Sequence, residues 1–558
     1  MISRNKPSAV SAETVLAARG SLVNLAAMVS GAALTFGLTV LVSRWLQPSG
    51  AGAFFELIAL FTIASNTLEL GADTGLMRWI SRARAVGGLA QVRRLMPIAL
   101  LPVAGVGAAA AAVIWVTAPD LAHAFLHGLP HGGGTVDIRI IAPLVPLGAL
   151  SACFIDAVRG FGRTWPYLAV EGLGKPAARI ALVLGVLIAG LGLHGAIIAW
   201  GAPVAGGLIA SGIIFAAMLR SEVPVTVGTQ RARRRRSAQH AWLLRSAPRG
   251  AHGRKGRHRG PPAPVNERRQ RLGAEFWRFT APRAFQGIFQ VIILWLDILL
   301  VGAMISRHAA GVYGAVSKLA MVGTFALEGT RLAISPQVSA LLARRKHQRA
   351  AALYQDATRW LMLASWPLYL IFAIFPAVVL GIFGSRYTAG AAALAVLSLA
   401  MLVNLGTGNV TVMLLMGGKS SWGAINTGAA LFVNISLNLL LLPHLGILGA
   451  AIAWSASIVV DNVAAMIELR WVLGLAPFGS GYGLAVAVSV GCFGVPGIVA
   501  RVLLGETLPA LAVTLAIGIA AYAMTLYTAR MPLQLSGMAA VLRAPALPAA
   551  ASQPREAA

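Results

Sequence analysis

Stretch after stretch of this chain runs for more than twenty residues without a charged side chain, among them Ser21–Ser43, Met96–Pro119, His194–Leu219, Leu361–Ser385, Tyr387–Gly418 and Ser420–Ser457. A bilayer core about 30 Å thick is crossed by about 20 apolar residues of helix, so each run can span once and the longest can hold more. Charged residues make up 11% of the sequence, where a soluble globular domain carries roughly 25%. The pattern predicts an all-α integral membrane protein.

Breaks between the apolar runs divide the chain into about fourteen spans: 21–42, 53–77, 96–118, 139–158, 167–189, 195–218, 280–304, 310–342, 358–383, 388–416, 420–442, 446–469, 482–504 and 508–529. The polar, basic segment Met1–Arg19 leads into a full-length span with no small-residue cleavage site after a short apolar core, so it reads as part of a first span and not as a signal peptide. An even number of spans puts both termini on one side, and the positive-inside rule chooses which. One set of loops holds Arg4, Lys6 and Arg19, then Arg78, Arg82, Arg84, Arg93 and Arg94, then Arg159 and Arg163. It continues with the 220–278 segment, Arg344, Arg345, Lys346 and Arg349, and Lys419 and Arg470. The other set holds scattered cations such as Arg44, Arg307 and Arg386. Both termini are expected in the cytoplasm, in a multi-pass protein of the cell membrane.

The net charge of +28 suggests nucleic acid until its distribution is considered. Residues 220–278 hold sixteen Arg or Lys against three Glu, including RARRRR at 231–236 and GRKGRHRG at 253–260. The stretch is rich in Pro, Gly and His and lacks apolar periodicity, so it reads as a disordered cytoplasmic linker. Its expected partner is anionic membrane lipid, to which each basic residue near the surface contributes about 1 kcal/mol. No nucleic-acid partner is expected. Cys153 and Cys492 lie inside apolar runs and read as small core residues. His123, His127 and His131 stand in a loop with Pro130 and a GGG run, which breaks any helical ligand face, so no metal is expected.

The chain also resembles itself. GLHGAIIAW at 192–200 matches GILGAAIAW at 446–454, LQPSGAGAF at 46–54 parallels ISRHAAGVY at 305–313, and GFGRTW at 160–165 parallels GGKSSW at 417–422. At the offset of the second pair, Glu69 falls on Glu328. The unit is six helices, an even number, so the two copies should be related by an axis along the membrane normal. The divisions expected are an N-terminal lobe at 1–219, the basic linker at 220–278, a C-terminal lobe at 279–472, two further helices at 473–530 and a cytoplasmic tail at 531–558.

A plan of two pseudo-symmetric six-helix lobes plus two C-terminal helices resembles the superfamily of multidrug/oligosaccharidyl-lipid/polysaccharide exporters. Within it the chain is most similar to the polysaccharide transporter, or oligosaccharide flippase, family. LTVLVSRWLQPSGAGAFFELIALFTIASNTLELGADTGLMRWISRA (Leu38–Ala83) and NISLNLLLLPHLGILGAAIAWSAS (Asn434–Ser457) carry the resemblance. It implies a transporter that flips a lipid-linked oligosaccharide of polyprenyl-pyrophosphate type by alternating access for cell-surface polysaccharide export, with glycan-assembly proteins as candidate partners.

Ionisable groups inside a bilayer are costly and mark function. Glu171, Lys175 and Arg179 follow one another at four-residue steps, which puts them on one helix face. Glu328 and Arg331 share a face of the eighth span, with Lys318 nearer its outer end. A pyrophosphate head group needs cations, and Lys175, Arg179, Arg283, Lys318 and Arg331 are the candidates, at least as many as the deep carboxylates. Asn404, Asn434 and Asn438 are candidate sugar ligands, although ordinary interhelical hydrogen bonding suits them better. Glu69, Asp73, Glu171, Asp297 and Glu328 are candidates for binding a coupling proton or sodium ion; no other cofactor is expected. A multidrug antiporter and a lipid II flippase are rivals on the same fold. A membrane glycan-processing enzyme is disfavoured, because the outer loops are short and carry no paired carboxylates or nucleophile–base set.

Overall fold

A computed structural model describes residues 10–85, 89–126, 133–163, 165–221, 265–416 and 420–529. Among them there is no strand, and twelve helices are long and apolar enough to cross a membrane. The expectation was fourteen, and the two readings differ at two places. The first two expected spans share one helix, α1 (Val10–Leu68), kinked at Gln47, whose φ of 57° lies in the left-handed region. The expected fifth span, 167–189, is interrupted by a π-helical turn, Leu168–Gly174, and carries three charges.

The first half continues with α2 (Ala72–Ala85), α3 (Leu89–Val116), α4 (Gly133–Ile141), α5 (Leu144–Gly160), α6 (Lys175–Ile188) and α7 (Gly192–Ser221). The second half is α8 (Val265–Met304), α9 (Arg307–Ala320), α10 (Thr324–Ala343), α11 (His347–Ile374), α12 (Ala391–Thr407), α13 (Ser420–Leu445) and α14 (Ile447–Leu473). The chain closes with α15 (Val495–Leu504) and α16 (Leu508–Thr528).

Three expectations need correction. The second expected span, 53–77, stops at Leu68, and residues 69–71 turn into the separate amphipathic helix α2, which buries Leu76, Ile80 and Ala83. The eighth, 310–342, breaks at Met321–Gly323. There the Tyr369 hydroxyl accepts from the Gly323 N–H at 2.7 Å and donates to the Ala320 carbonyl at 2.5 Å, satisfying groups that a continuous helix would pair. The linker is helical from Val265 onward, because Leu272, Phe276 and Trp277 give it an apolar stripe that its basic composition hides. At 40 residues α8 is about 60 Å long, twice the bilayer core, so its first turns project beyond it. Residues 222–264, the tail from 530 and His127 and His131 lie outside the described residues.

The repeat is visible as contact. A Cβ on Gly52 would lie 1.9 Å from the Arg307 carbonyl oxygen, and a Cβ on Gly311 1.9 Å from that of Pro48. Positions 52 and 311, like 48 and 307, are 259 apart, so the contact is symmetric under the exchange of halves. Trp200 and Trp454, matched in the 192–200 and 446–454 segments, are likewise both buried. The Arg-rich end of the bundle is called the inner end here, after the charge asymmetry. At the outer end the halves also meet where Arg44 donates to the Ile382 carbonyl at 2.7 Å and Tyr387 to that of Ser43 at 3.1 Å. At the inner end α2 packs on α8 through Gly71 and Gly75, against Thr280 and Phe276.

Candidate functional site

Pro176 has no N–H to give to the turn before it, and the chain accommodates this with the wide turn Leu168–Gly174 ahead of α6. That turn presents Glu171 beside Lys175, whose ammonium donates to the carboxylate at 2.5 Å and to Ser151 of α5 at 3.0 Å. The lysine stem lies over Gly207 of α7, where a Cβ would come within 2.1 Å of it. One turn on, the Arg179 guanidinium rests 4.2 Å from the Trp200 ring centroid and donates to the Trp200 carbonyl at 3.2 Å. The three-residue stripe is thus held on one face, packed towards α5 and α7 and not towards lipid.

Other charges gather around it. Asp156, Glu171 and Lys175 lie within electrostatic reach of Glu69, which sits in the turn after α1, and so does Asp73 in the first turn of α2. Arg159 donates to Asp156 at 2.8 Å and stacks over Tyr167 at 4.6 Å. Glu328 of α10, from the opposite half, lies within reach of Arg159 and Tyr167 and is itself paired with Arg331. The two halves therefore present ionisable groups to one another. This face carries the carboxylates Glu69, Asp73, Asp156, Glu171 and Glu328 and the cations Arg159, Lys175, Arg179 and Arg331. Cations do not outnumber carboxylates on it, and three of the four are engaged in a short pair.

A second polar cluster lies inside the C-terminal half. Asp297 of α8 is buried and accepts from Tyr313 of α9 at 2.8 Å and from the Asn438 amide of α13 at 2.8 Å. Asn434, one turn earlier, lies beside the same carboxylate without a well-formed hydrogen bond to it. Asn434 and Asn438 are fully buried, so in this conformation neither is open to a sugar. Asn404 accepts from Asn462 at 3.1 Å, an interhelical bond between α12 and α14. Lys318 ends α9 with its ammonium 3.5 Å from the Trp295 ring centroid. Arg283 belongs to α8, with its side chain outside the described residues. Asp297, Asn434, Asn438, Asn404 and Lys318 do not join the inter-lobe face.

Sequence reasoning missed three features. Asp156 stands unremarked inside the expected 139–158 span and Arg159 reads as a loop cation, although their three-residue spacing on a helix signals a pair. Glu56 is buried with neither carboxylate oxygen hydrogen-bonded among the described residues, and a Cβ on Gly302 would lie 1.8 Å from its Oε1. A lone carboxylate in an apolar run was the available signal. Asp137 and His194, paired at 2.5 Å near the outer end, come from helices too far apart in sequence to be matched by pattern. Chemically, the inter-lobe face can bind charged groups beside its existing pairs; no nucleophile–base set stands on it among the described residues.

A family profile described as "Polysaccharide biosynthesis protein" matches residues 17–329, and one described as "MatE" matches 282–440. The probable low-salt glycan biosynthesis flippase Agl15 of Haloferax volcanii is 23% identical over 173 residues, 30% of this chain and 36% of that protein, so the chain matches about a third of that relative's length. Among solved structures, the lipid II flippase MurJ in an inward closed conformation superposes with a TM-score of 0.63 at 12% identity, over 91% of this chain and 99% of that one. An inward-facing multidrug resistance MATE family transporter of the MOP superfamily gives 0.58 at 14% identity, over 79% and 93%. The fold is that of these membrane transporters.

Proposed function

The chain belongs to the polysaccharide biosynthesis protein family, whose profile spans residues 17–329 of its 558, and on that premise we propose that it flips a polyprenyl-pyrophosphate-linked oligosaccharide across the cell membrane. Export of a cell-surface polysaccharide would depend on it, with both termini in the cytoplasm and glycan-assembly proteins beside it. The observation that carries the reading is the inter-lobe face, where Lys175–Glu171 and Arg159–Asp156 are short pairs flanked by Arg179. An incoming pyrophosphate gives Lys175 and Arg159 a second anionic partner beside their carboxylates and adds one to Arg179, so no buried charge is left unpaired before or after binding. The two halves then rock against one another, parting the seam at Gly52 and Gly311 when that face opens to the outer side.

Asp297 with Tyr313, Asn434 and Asn438 suits a coupling proton or sodium ion, because it is buried apart from the cargo face and joins α8, α9 and α13 of the C-terminal half, so a change in its charge would bias how those helices pack. Glu69, Asp73, Glu171 and Glu328 remain alternative coupling sites on the face itself.

A second reading has specific support: the MatE match at 282–440 and the five carboxylates on the inter-lobe face both suit exchange of organic cations. Deletion of the gene separates the two. Flipping predicts that a lipid-linked saccharide accumulates on the cytoplasmic face. Normal levels of that intermediate, together with increased drug susceptibility, decide for the antiporter. A lipid II flippase predicts accumulation of lipid II instead.

A further inference from the structure

A pocket of about 240 Å³ lies at the inner end of the seam between the halves, away from the inter-lobe face. Arg78, Trp79 and Arg82 line it from α2, and Glu275, Arg278 and Phe279 from the projecting part of α8. Its walls are fixed by a close approach of the two helices: a Cβ on Gly75 would lie 2.2 Å from Thr280 Cγ2 and 2.8 Å from the Phe276 ring. Phe276 is fully buried under that contact.

The lining has a definite chemistry. The Arg78 guanidinium lies 3.8 Å from the Phe279 ring centroid and that of Arg82 5.6 Å from Trp79, so aromatic planes orient two of the three guanidiniums. Glu275 is the one carboxylate of the lining and reaches Arg82 at 3.9 Å, with both side chains mostly exposed, an arrangement that contributes little. Arg78 and Arg278 add their charge from different halves of the protein without a carboxylate in the lining to match them. Planar, fixed guanidiniums match the paired oxygens of a phosphate. The volume is just under the roughly 300 Å³ at which small-molecule pockets begin, and suits a head group better than an extended ligand.

We propose that this pocket binds a phosphate group presented by a membrane lipid head group, and that the bound phosphate ties α2 of the first half to α8 of the second. Trp79 beside the arginines points to the lipid as the source, since tryptophan favours the depth where helices leave the apolar core. The site is independent of the cargo and would be present in an antiporter of the same fold.

Full-length protein purified in detergent is titrated with phosphatidylglycerol and, separately, with inorganic phosphate, followed by thermal unfolding and native mass spectrometry. Phosphatidylglycerol is expected to raise the unfolding midpoint and to remain bound. The Arg78→Ala/Arg278→Ala variant is expected to bind it roughly 25-fold more weakly, at about fivefold per basic residue. Arg344→Ala/Arg345→Ala, which removes two exposed cations outside the pocket, should bind as the wild type does. Arg78→Lys/Arg278→Lys keeps the charge and guards against a folding defect; intermediate affinity is expected. Stabilisation by lipid alone assigns the phosphate to the membrane, and equal stabilisation by inorganic phosphate assigns it to solution; both support the site. Absence of binding by either ligand overturns it, as does wild-type binding in the Arg78/Arg278 alanine variant or equal loss in the Arg344/Arg345 variant.

Discussion

Gly52 and Gly311 touch across the axis that relates the two halves, each packed against the backbone of the other's helix. Their equivalence by sequence offset and their contact in space are one fact seen twice. Nothing larger fits, because each missing Cβ would stand within a bond's length or so of a carbonyl oxygen. With Gly302 against the Glu56 side chain, this makes the outer closure a seam that glycine alone lets close.

Gly52→Val and Gly311→Val should each hold the outer end open. Overpacking of this kind costs about 1–3 kcal/mol, which moves a closed–open equilibrium by roughly 5- to 150-fold. A cysteine replacing Ala310, which is fully buried beside Gly311 on α9, should then react faster with a membrane-impermeant maleimide. The native Cys153 and Cys492 are buried and should stay silent. Unchanged labelling in both variants would show that this contact does not close the outer end.

Lys175→Met strands the half-buried Glu171 carboxylate. The expected loss of stability is about 2–3 kcal/mol, at or below the low end of buried pairs because both groups keep some water. Adding Glu171→Gln should restore stability, since neither partner then remains charged, while transport stays impaired. Thermal unfolding read beside export separates the two effects; recovery of both would remove the pair from the cargo site.

Tyr369→Phe should destabilise the break between α9 and α10. It leaves the Ala320 carbonyl and the Gly323 N–H without their buried partner, at a cost of about 2–4 kcal/mol for the two groups. The midpoint of thermal unfolding in detergent checks this, and a wild-type midpoint would mean that the two groups find other partners.

Asp297→Asn should leave the protein in the membrane at normal level while export no longer responds to an imposed proton or sodium gradient. Tyr313→Phe removes one of the bonds to the carboxylate and should weaken that response by roughly 10- to 150-fold, from about 1.5–3 kcal/mol for a bond to a charged group. A full response in Asp297→Asn moves the coupling site to Glu69 or Glu328.

The apolar runs and the lopsided arginines were legible because both are local compositions, and they carried the all-helical membrane fold and the family. The repeat was legible at the Gly52 and Trp200 segments because glycine and tryptophan have few substitutes where helices touch. The break at Met321–Gly323 was not, since it is held open by Tyr369 from a helix more than forty residues away. Asp297 could be singled out as a deep carboxylate, but its enclosure by Tyr313 and Asn438 depends on how three helices pack. Charge alone also misled: it dissolved the start of α8 into a linker and counted Arg159 as a loop cation, when each belongs to a helix with one buried side.

The most direct test is reconstitution. Purified protein is placed in liposomes with a fluorescent polyprenyl-pyrophosphate oligosaccharide, and a membrane-impermeant reductant bleaches only the outer leaflet. Flipping predicts that the protected inner-leaflet fraction disappears in wild-type vesicles and persists with the Lys175→Met/Arg179→Ala variant. Protection that persists equally in wild-type and protein-free vesicles would contradict it.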